Sequence, residues 1–567
     1  MPPTVSDTAP SAAPPAASPT VLTRPVRYPS DGGALLEHLT RAGQLRTTRN
    51  PADDNAAVRP VDCVLLESAD ITTKASRTTV AILEASARLT CWGGTVTAEA
   101  LDAVDGQGPG ADGLAALARL EESLAEHVTD RSPGRLTLTL PTSADDDPTL
   151  EERERLTALS TIEPLRVLAQ AEVDHPHLPL EAGAFAFDYL STFESLPEVA
   201  QGANTCPDYL FYDARIILVV DHPTREATLV GASVDTADLE RRMDALAAAI
   251  DSIDNAADVE APASSTDGAA SPVLHAVPTT SDVDFEAVVE EMRGYIADGD
   301  VYQVVPSRGF TIACPDALAA YHVLRHANPS PYMFYLAAPD FELFGASPES
   351  ALLHSARTGR VAIRPIAGTR PRGLHPDGSV DHERDTRLEL ELRTDAKEVA
   401  EHVMLVDLAR NDVARVSRPG TRSVQDLLRV DRYSRVMHLV SEVSGELADD
   451  LDALDAFRAS MTMGTLTGAP KLRAAELIRQ AEGVRRGSYG GSVGYIRGDG
   501  ELDTCIVIRS GFVAGGTALV QAGAGVVAAS SPAAETAETV HKARAVLEAV
   551  AAAQGATLVI DTTGKEA

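Results

Sequence analysis

The sequence predicts an α+β fold in which large antiparallel sheets carry packed helices. Two observations predict it: short strand candidates separated by Gly-containing turns crowd the second half, and helical stretches are interspersed with strand-like runs in the first. Length and composition agree, since 567 residues with 44% hydrophobic and 23% charged side chains suffice for a sizeable core.

Taken in order, residues 1–20 are rich in Ala, Pro and Ser and cannot bury enough surface to offset their ordering entropy, so a disordered tail is expected. Residues 21–250 form an N-terminal part. There VDCVLLES and ARIILVVDH read as strands, and DGLAALARLEESLAEHV and DTADLERRMDALAAAI as helices. Residues 251–280 read as a linker whose low-complexity stretch runs from Asp251 to Leu274. Residues 281–560 form a C-terminal part with strand candidates YMFYLAA, FELFGAS, VAIRPIAG, GSVGYIRG, TCIVIRSGFV and TALVQAGAGVV.

Charge narrows the function. With 49 Lys+Arg against 83 Asp+Glu the net charge is -34, so a nucleic-acid backbone is repelled and no such partner is expected. A small anionic substrate is still within reach of a few local Arg and N–H groups. The five cysteines are scattered without a C-x-x-C pair, which fits a reducing cytoplasm, and neither a membrane span nor an export signal is read.

Two helices present paired carboxylates. Asp395 and Glu398 have capping-box spacing, which starts a helix that puts Glu398 and Glu401 on one face. A second helix starting near Pro532 does the same with Glu535 and Glu538. Solvated surface is the plain reading of such pairs; an oxygen-lined Mg²⁺ site is the functional one. Other patterns fall short. VQAGAGVVAAS has the glycine spacing of a dinucleotide fingerprint without a βαβ unit, and GTLTGAPK lacks the Gly-Lys-Ser/Thr end of a phosphate loop. His322 and His326 stand four apart, but no third ligand is apparent, so they read as a partly exposed helix face.

The segments RPIAGTRPRG, ELRTDAKEVAEHVMLVDLARND, DRYSRVMHLVSEVSGEL, MGTLTGAPKLRAAELI, RRGSYGGSVGYI, LDTCIVIRS and VQAGAGVV follow one another through the C-terminal part. In that order they closely resemble the chorismate-utilising enzymes, and within them the anthranilate synthase component I branch. The resemblance implies a β-sandwich with helices packed outside and a lyase reaction that turns chorismate and ammonia into anthranilate and pyruvate. Ala367 stands where related aminodeoxychorismate synthases carry a nucleophilic Lys, and Gln303 where water-adding relatives carry a basic Lys. Ammonia needs positioning rather than a base, so both absences favour it as nucleophile. The rivals are an aminodeoxychorismate synthase and a catalytically silent tryptophan sensor on the same fold.

The resemblance also implies roles. Glu401 and Glu538 would ligate Mg²⁺, with Glu398 and Glu535 acting through its waters. Glu349 would be the general acid, its pKa raised by neighbouring carboxylates, and His438 the general base of the second half-reaction. Arg509, Tyr489 and the N–H groups of Ala522, Gly523, Ala524 and Gly525 would hold the enolpyruvyl carboxylate. Gly368, Thr369 and Thr465 would complete the wall. Ser68 in LLESAD and Pro331, Tyr332 and Met333 in NPSPYMFY would bind L-tryptophan as feedback inhibitor. No glutaminase-like stretch is read, so ammonia from glutamine implies a separate glutamine amidotransferase subunit, component II.

Overall fold

The computed structural model describes residues 19–49, 58–70, 75–102, 104, 108–142, 151–253, 272–375, 379–433 and 436–561. Most of the expected tail and of the linker lies outside these residues. Within the linker range, Val273–Pro278 is a strand, paired parallel with Thr557–Ile560 and antiparallel with Ser307–Ala313.

Among the described residues, 23 strands join through one continuous network of pairings. Two long neighbours, Ser76–Trp92 and Tyr209–Asp221, hold it together. Their register shifts between Asp213 and Ile217, where the paired strands bend. On one side of the bend the network continues through Cys63–Ala69, Tyr332–Ala337, Glu342–Ser347, Ser510–Ala514 and Thr517–Gly523. On the other it runs through Leu180–Phe185, Ser492–Arg497, Leu502–Ile506, Ser350–Ser355 and Arg360–Ile363 to Val436–Glu446.

The two layers face each other across a core that includes Val64, Ile82, Ala184, Phe334, Val493 and Phe512, so the architecture is a sandwich. Each layer joins a block of strands from before the linker to a block from after it, at Cys63–Ala69 against Tyr332–Ala337 in one and at Leu180–Phe185 against Ser492–Arg497 in the other. The helices lie outside: Gly32–Arg41, Thr236–Asp251, Ala317–Ala327 and Pro532–Ala553 cover one layer, and Ala111–Ser123, Ala396–Val416 and Ala453–Ser460 the other. All five cysteines are free and buried. No helix among the described residues is long and apolar enough to cross a membrane.

Two runs that read as single strands are broken. VAIRPIAG divides into Arg360–Ile363 and Ile366–Pro371, and TCIVIRSGFV into Leu502–Ile506 and Ser510–Ala514. The second break is where the chain leaves one layer for the other. Ser347 to Ser350 makes the opposite passage beside it, and the two are stitched by Ala346 N–H to Arg509 O (3.1 Å) and Ile506 N–H to Glu349 O (3.0 Å). Glu349 and Arg509 therefore sit together where the layers exchange strands.

Candidate active site

The site forms around that double passage. Arg509 takes a left-handed backbone, φ 51°, which a residue with a Cβ adopts only when its surroundings impose it. No ion pair or side-chain hydrogen bond engages its guanidinium among the described residues, and burial lowers its pKa. Such a cation is a ready anion holder. Glu349 is buried, and burial pushes its carboxyl up to about 8 against the opposing effects of Thr465, the Ile366 N–H, Lys542 and Arg509. The cause expected from sequence, repulsion by neighbouring carboxylates, is therefore corrected: desolvation raises this pKa, and the charges acting on it are positive. A narrow cavity of about 20 Å³ reaches Glu349 and Thr465.

His438 lies on Val436–Glu446 opposite Ile366–Pro371, where a bulge opens between Ala367 and Thr369. Gly368, φ 74°, occupies the bulge and offers its carbonyl to His438 Nδ1 at 3.2 Å, while Thr369 Oγ1 lies 3.0 Å from the same nitrogen. A Cβ on Gly368 would meet Glu398 Oε2 at 3.2 Å, so the glycine lets the bulge close on the helix carboxylate. Burial first, then Arg509 and Lys542, lower the His438 pKa to about 4 despite the Gly368 bond, which leaves a neutral imidazole at pH 7.

Tyr489 is buried behind Gly523, its hydroxyl accepting the Gly523 N–H, and burial raises its pKa to about 12. Arg486 fixes this wall. Fully buried, it donates to Leu466 O (2.8 Å), Val305 O (2.6 Å) and Glu482 Oε2 (2.9 Å) and lies over the Tyr489 ring. The Ala522–Gly525 segment is not the uniform donor row expected. Ala524 gives its N–H to Pro306 O at 3.1 Å, and Gly523 directs its carbonyl to Lys542 Nζ at 2.9 Å. A Cβ on Gly525 would lie 2.7 Å from Gln303 Nε2, so Gln303 packs on this loop, and its buried Oε1 has no partner among the described residues.

The four glutamates face one another from two helices. Asp395 caps the first, accepting from Lys397 N (3.0 Å) and Glu398 N (3.2 Å). The reciprocal half of the predicted capping box is absent, because Arg370 holds Glu398 Oε1 at 2.7 Å. Burial raises Glu401 to about 7, Lys397 opposes this, and Glu398, Glu535 and Glu538 add to it. Glu535 is likewise raised by burial and by Glu538. Burial acts to raise Glu538, but Lys542, 2.7 Å from its Oε1, together with Glu535 and Arg509 leaves it lowered. An all-oxygen donor set with accumulated negative charge fits a hard divalent cation. Its four carboxylates are not drawn in to ligand spacing, and Arg370, Lys397 and Lys542 supply the positive charge.

The expected tryptophan segments are adjacent strands, with Met333 opposite Glu67. Ser68 Oγ lies 2.7 Å from Thr78 Oγ1. Two cavities flank this pair: one of about 120 Å³ lined by Ser68, Tyr332, Met333 and the half-buried Asp503, and one of about 210 Å³ lined by Ser68, Met333, Arg325 and His326. Pro331 immediately precedes the Tyr332–Ala337 strand. Asp503 and Lys542 are the residues that sequence reading left without a site role. The first is marked by its carboxyl being pushed up to about 7, and the second by its reach to Gly523 beyond its helical pairing with Glu538.

Comparison with known proteins places this geometry in context. Residues 132–548 match the family of chorismate binding enzymes, so the match begins well inside the N-terminal part. Anthranilate synthase component 1 of Vibrio parahaemolyticus is 48% identical over 87% of this chain and 88% of its own. The Escherichia coli protein of the same name is 47% identical over 87% and 92%. Among solved structures, anthranilate synthase component I from Streptococcus pneumoniae matches with a TM-score of 0.61 and 28% identity, covering 83% of this chain and 92% of that one. The menaquinone-specific isochorismate synthase of Escherichia coli shares the fold, with a TM-score of 0.59 and 17% identity over 94% and 95%.

Proposed function

Because this chain belongs to the chorismate binding enzymes, we propose that it is the aminase component of an anthranilate synthase, a lyase converting chorismate and ammonia to anthranilate and pyruvate at the entry to tryptophan biosynthesis. The observation that carries the reading is a carboxyl kept protonated by burial, Glu349, beside an unpaired Arg509 and a neutral His438. Relatives named for this activity support it over most of the chain.

In this reading Arg509, Tyr489 and the Gly525 N–H hold the enolpyruvyl carboxylate. Glu349 gives its proton to the departing ring hydroxyl, which leaves as water while ammonia adds to the far end of the diene. His438 then takes the ring proton as the enolpyruvyl group departs to become pyruvate. Thr369 and the Gly368 carbonyl orient that imidazole. Gln303 and Thr465 line the pocket without a base, since a neutral amide and a hydroxyl do not generate hydroxide. Glu401 and Glu538 would hold Mg²⁺, with Glu398 and Glu535 behind its waters; when bound, the ion would neutralise the ring carboxylate.

Residues 281–560 would supply most of this chemistry and residues 21–250 the regulation, with L-tryptophan bound by Ser68, Pro331, Tyr332 and Met333. Ammonia would come from a separate glutamine amidotransferase subunit. Five reduced, buried cysteines support a cytoplasmic setting. Incubating the chain with chorismate, Mg²⁺ and ammonium tests the reading. Anthranilate and an equal amount of pyruvate are expected; accumulation of aminodeoxychorismate, or no turnover, would overturn it.

A further inference from the structure

The strongest unassigned cluster lies away from the chorismate site, on the seam between the Gly32–Arg41 and Ala317–Ala327 helices. His322 and His326 occupy successive turns of the second helix, their rings 4.5 Å apart. Asp31, the buried N-cap of the first, supplies the third group that the local sequence does not reveal. Its Oδ1 is 3.6 Å from His322 Nδ1 and its Oδ2 is 3.5 Å from His326 Nε2. One ligand atom from each of the three lies within 4.8 Å of the others.

Those separations are long for hydrogen bonds, although the pairing with Asp31 raises the His322 pKa, so a proton competes with a cation for that ring. They exceed the reach of a good N–H···O hydrogen bond, about 3.2 Å. They are close to the edge of a tetrahedron with metal–ligand bonds of about 2.0–2.1 Å, which is about 3.4 Å. The orientation agrees: His326 Nδ1 lies 2.8 Å from the His322 carbonyl, so its proton belongs there and Nε2 presents a lone pair toward Asp31. Arg325 pairs with Asp31 Oδ2 at 2.7 Å and holds the carboxylate in place, while Oδ1 accepts the Ala34 N–H at 2.9 Å. His322 also lines a cavity of about 490 Å³, which gives an ion an approach and room for a water in the fourth position.

We propose that Asp31, His322 and His326 form a binding site for a zinc-class divalent cation, clamping the N-terminal helix to the C-terminal part. Two imidazoles with one carboxylate favour Zn²⁺, Co²⁺ or Ni²⁺ over Mg²⁺, so this site is chemically distinct from the four glutamates. Arg325 links it directly to the strand that carries Ser68: its Nε lies 2.9 Å from Glu67 Oε2, one residue away.

The test uses the untagged full chain, stripped with chelator and titrated with Co²⁺ while the visible d–d absorption is followed. One saturable equivalent with a tetrahedral-type band, displaced by Zn²⁺, is expected. His326→Ala and His322→Ala should each weaken Co²⁺ binding by about tenfold or more. Glu401→Gln should leave the band unchanged, which separates this site from the glutamates. His326 is half exposed, so its variant keeps the fold, and metal-free melting equal to that of the parent checks this. Zn²⁺ should then raise the melting temperature of the parent and not of His326→Ala. Absence of the band, or its survival in both histidine variants, would overturn the proposal. No substrate is involved, so failure of the assigned reaction would not mimic failure here.

Discussion

Lys542 Nζ lies 2.7 Å from Glu538 Oε1 and 2.9 Å from the Gly523 carbonyl, so one ammonium joins a helix carboxylate to the loop beside Tyr489. Against burial, which acts the other way, its charge is the main influence, with Glu535 and Arg509, that holds Glu538 below the usual glutamate range. Removing that charge as Lys542→Met should raise the Glu538 pKa. Cation binding needs the ionised carboxylate, so the pH midpoint for Mn²⁺ binding, read by water-proton relaxation, should move upward. An unmoved midpoint would show that Lys542 does not control Glu538.

Glu349 makes a stability prediction with a definite sign. Its folded pKa, about 8, exceeds the value of an exposed glutamate, so between about pH 4.3 and 8 the folded state holds a proton that the unfolded state releases. Stability therefore drains away as pH rises through that window. Glu349→Gln, which cannot ionise, should gain on the parent with rising pH. The gain at pH 9 should be a few kcal/mol, because each tenfold difference in proton affinity between the two states is worth about 1.4 kcal/mol. Denaturant melts at pH 5 and pH 9 measure it. The same variant should lose about 10²–10⁴-fold in kcat if the proton is used in catalysis.

His438 behaves oppositely. Burial lowers its pKa to about 4, so the unfolded state binds the extra proton between pH 6.5 and 4. The stability of the neutral, half-buried ring is full above pH 6.5 and is lost as pH falls toward 4. His438→Ala should flatten that acid limb. It should also slow pyruvate release by about 10²–10⁴-fold while the aminated, non-aromatic intermediate accumulates, which chromatography of quenched reactions would detect.

Ser68 borders both cavities beside Met333. Ser68→Arg places a long cation there and should weaken tryptophan inhibition by about 5–150-fold, the range of ordinary allosteric coupling. Ammonium-dependent turnover should stay near that of the parent, since the active-site side chains are not touched. Unchanged inhibition would move the effector site elsewhere.

Much of the site was legible before the chain was folded. Asp395 starts its helix and Pro532 starts the other because capping is local, and the glutamate pairs follow from helical spacing. The division of TCIVIRSGFV was not legible. An apolar run of that length suits one strand, and only the need to pass between layers bends it at Arg509. The capping box failed for a related reason. Arg370, which competes for Glu398, reaches it from a neighbouring strand.

By itself the sequence determined the types of element, the residues able to carry acid, base, anion-holding and metal chemistry, and the family resemblance, because all of these reside in short-range order. Tertiary structure alone decided what those groups experience. Burial rather than neighbouring carboxylates protonates Glu349, and Ala524 loses its N–H to Pro306. Asp31 meets a helix whose Arg325 is 294 residues away. Desolvation and long-range proximity depend on how every layer packs, and no local spacing records them.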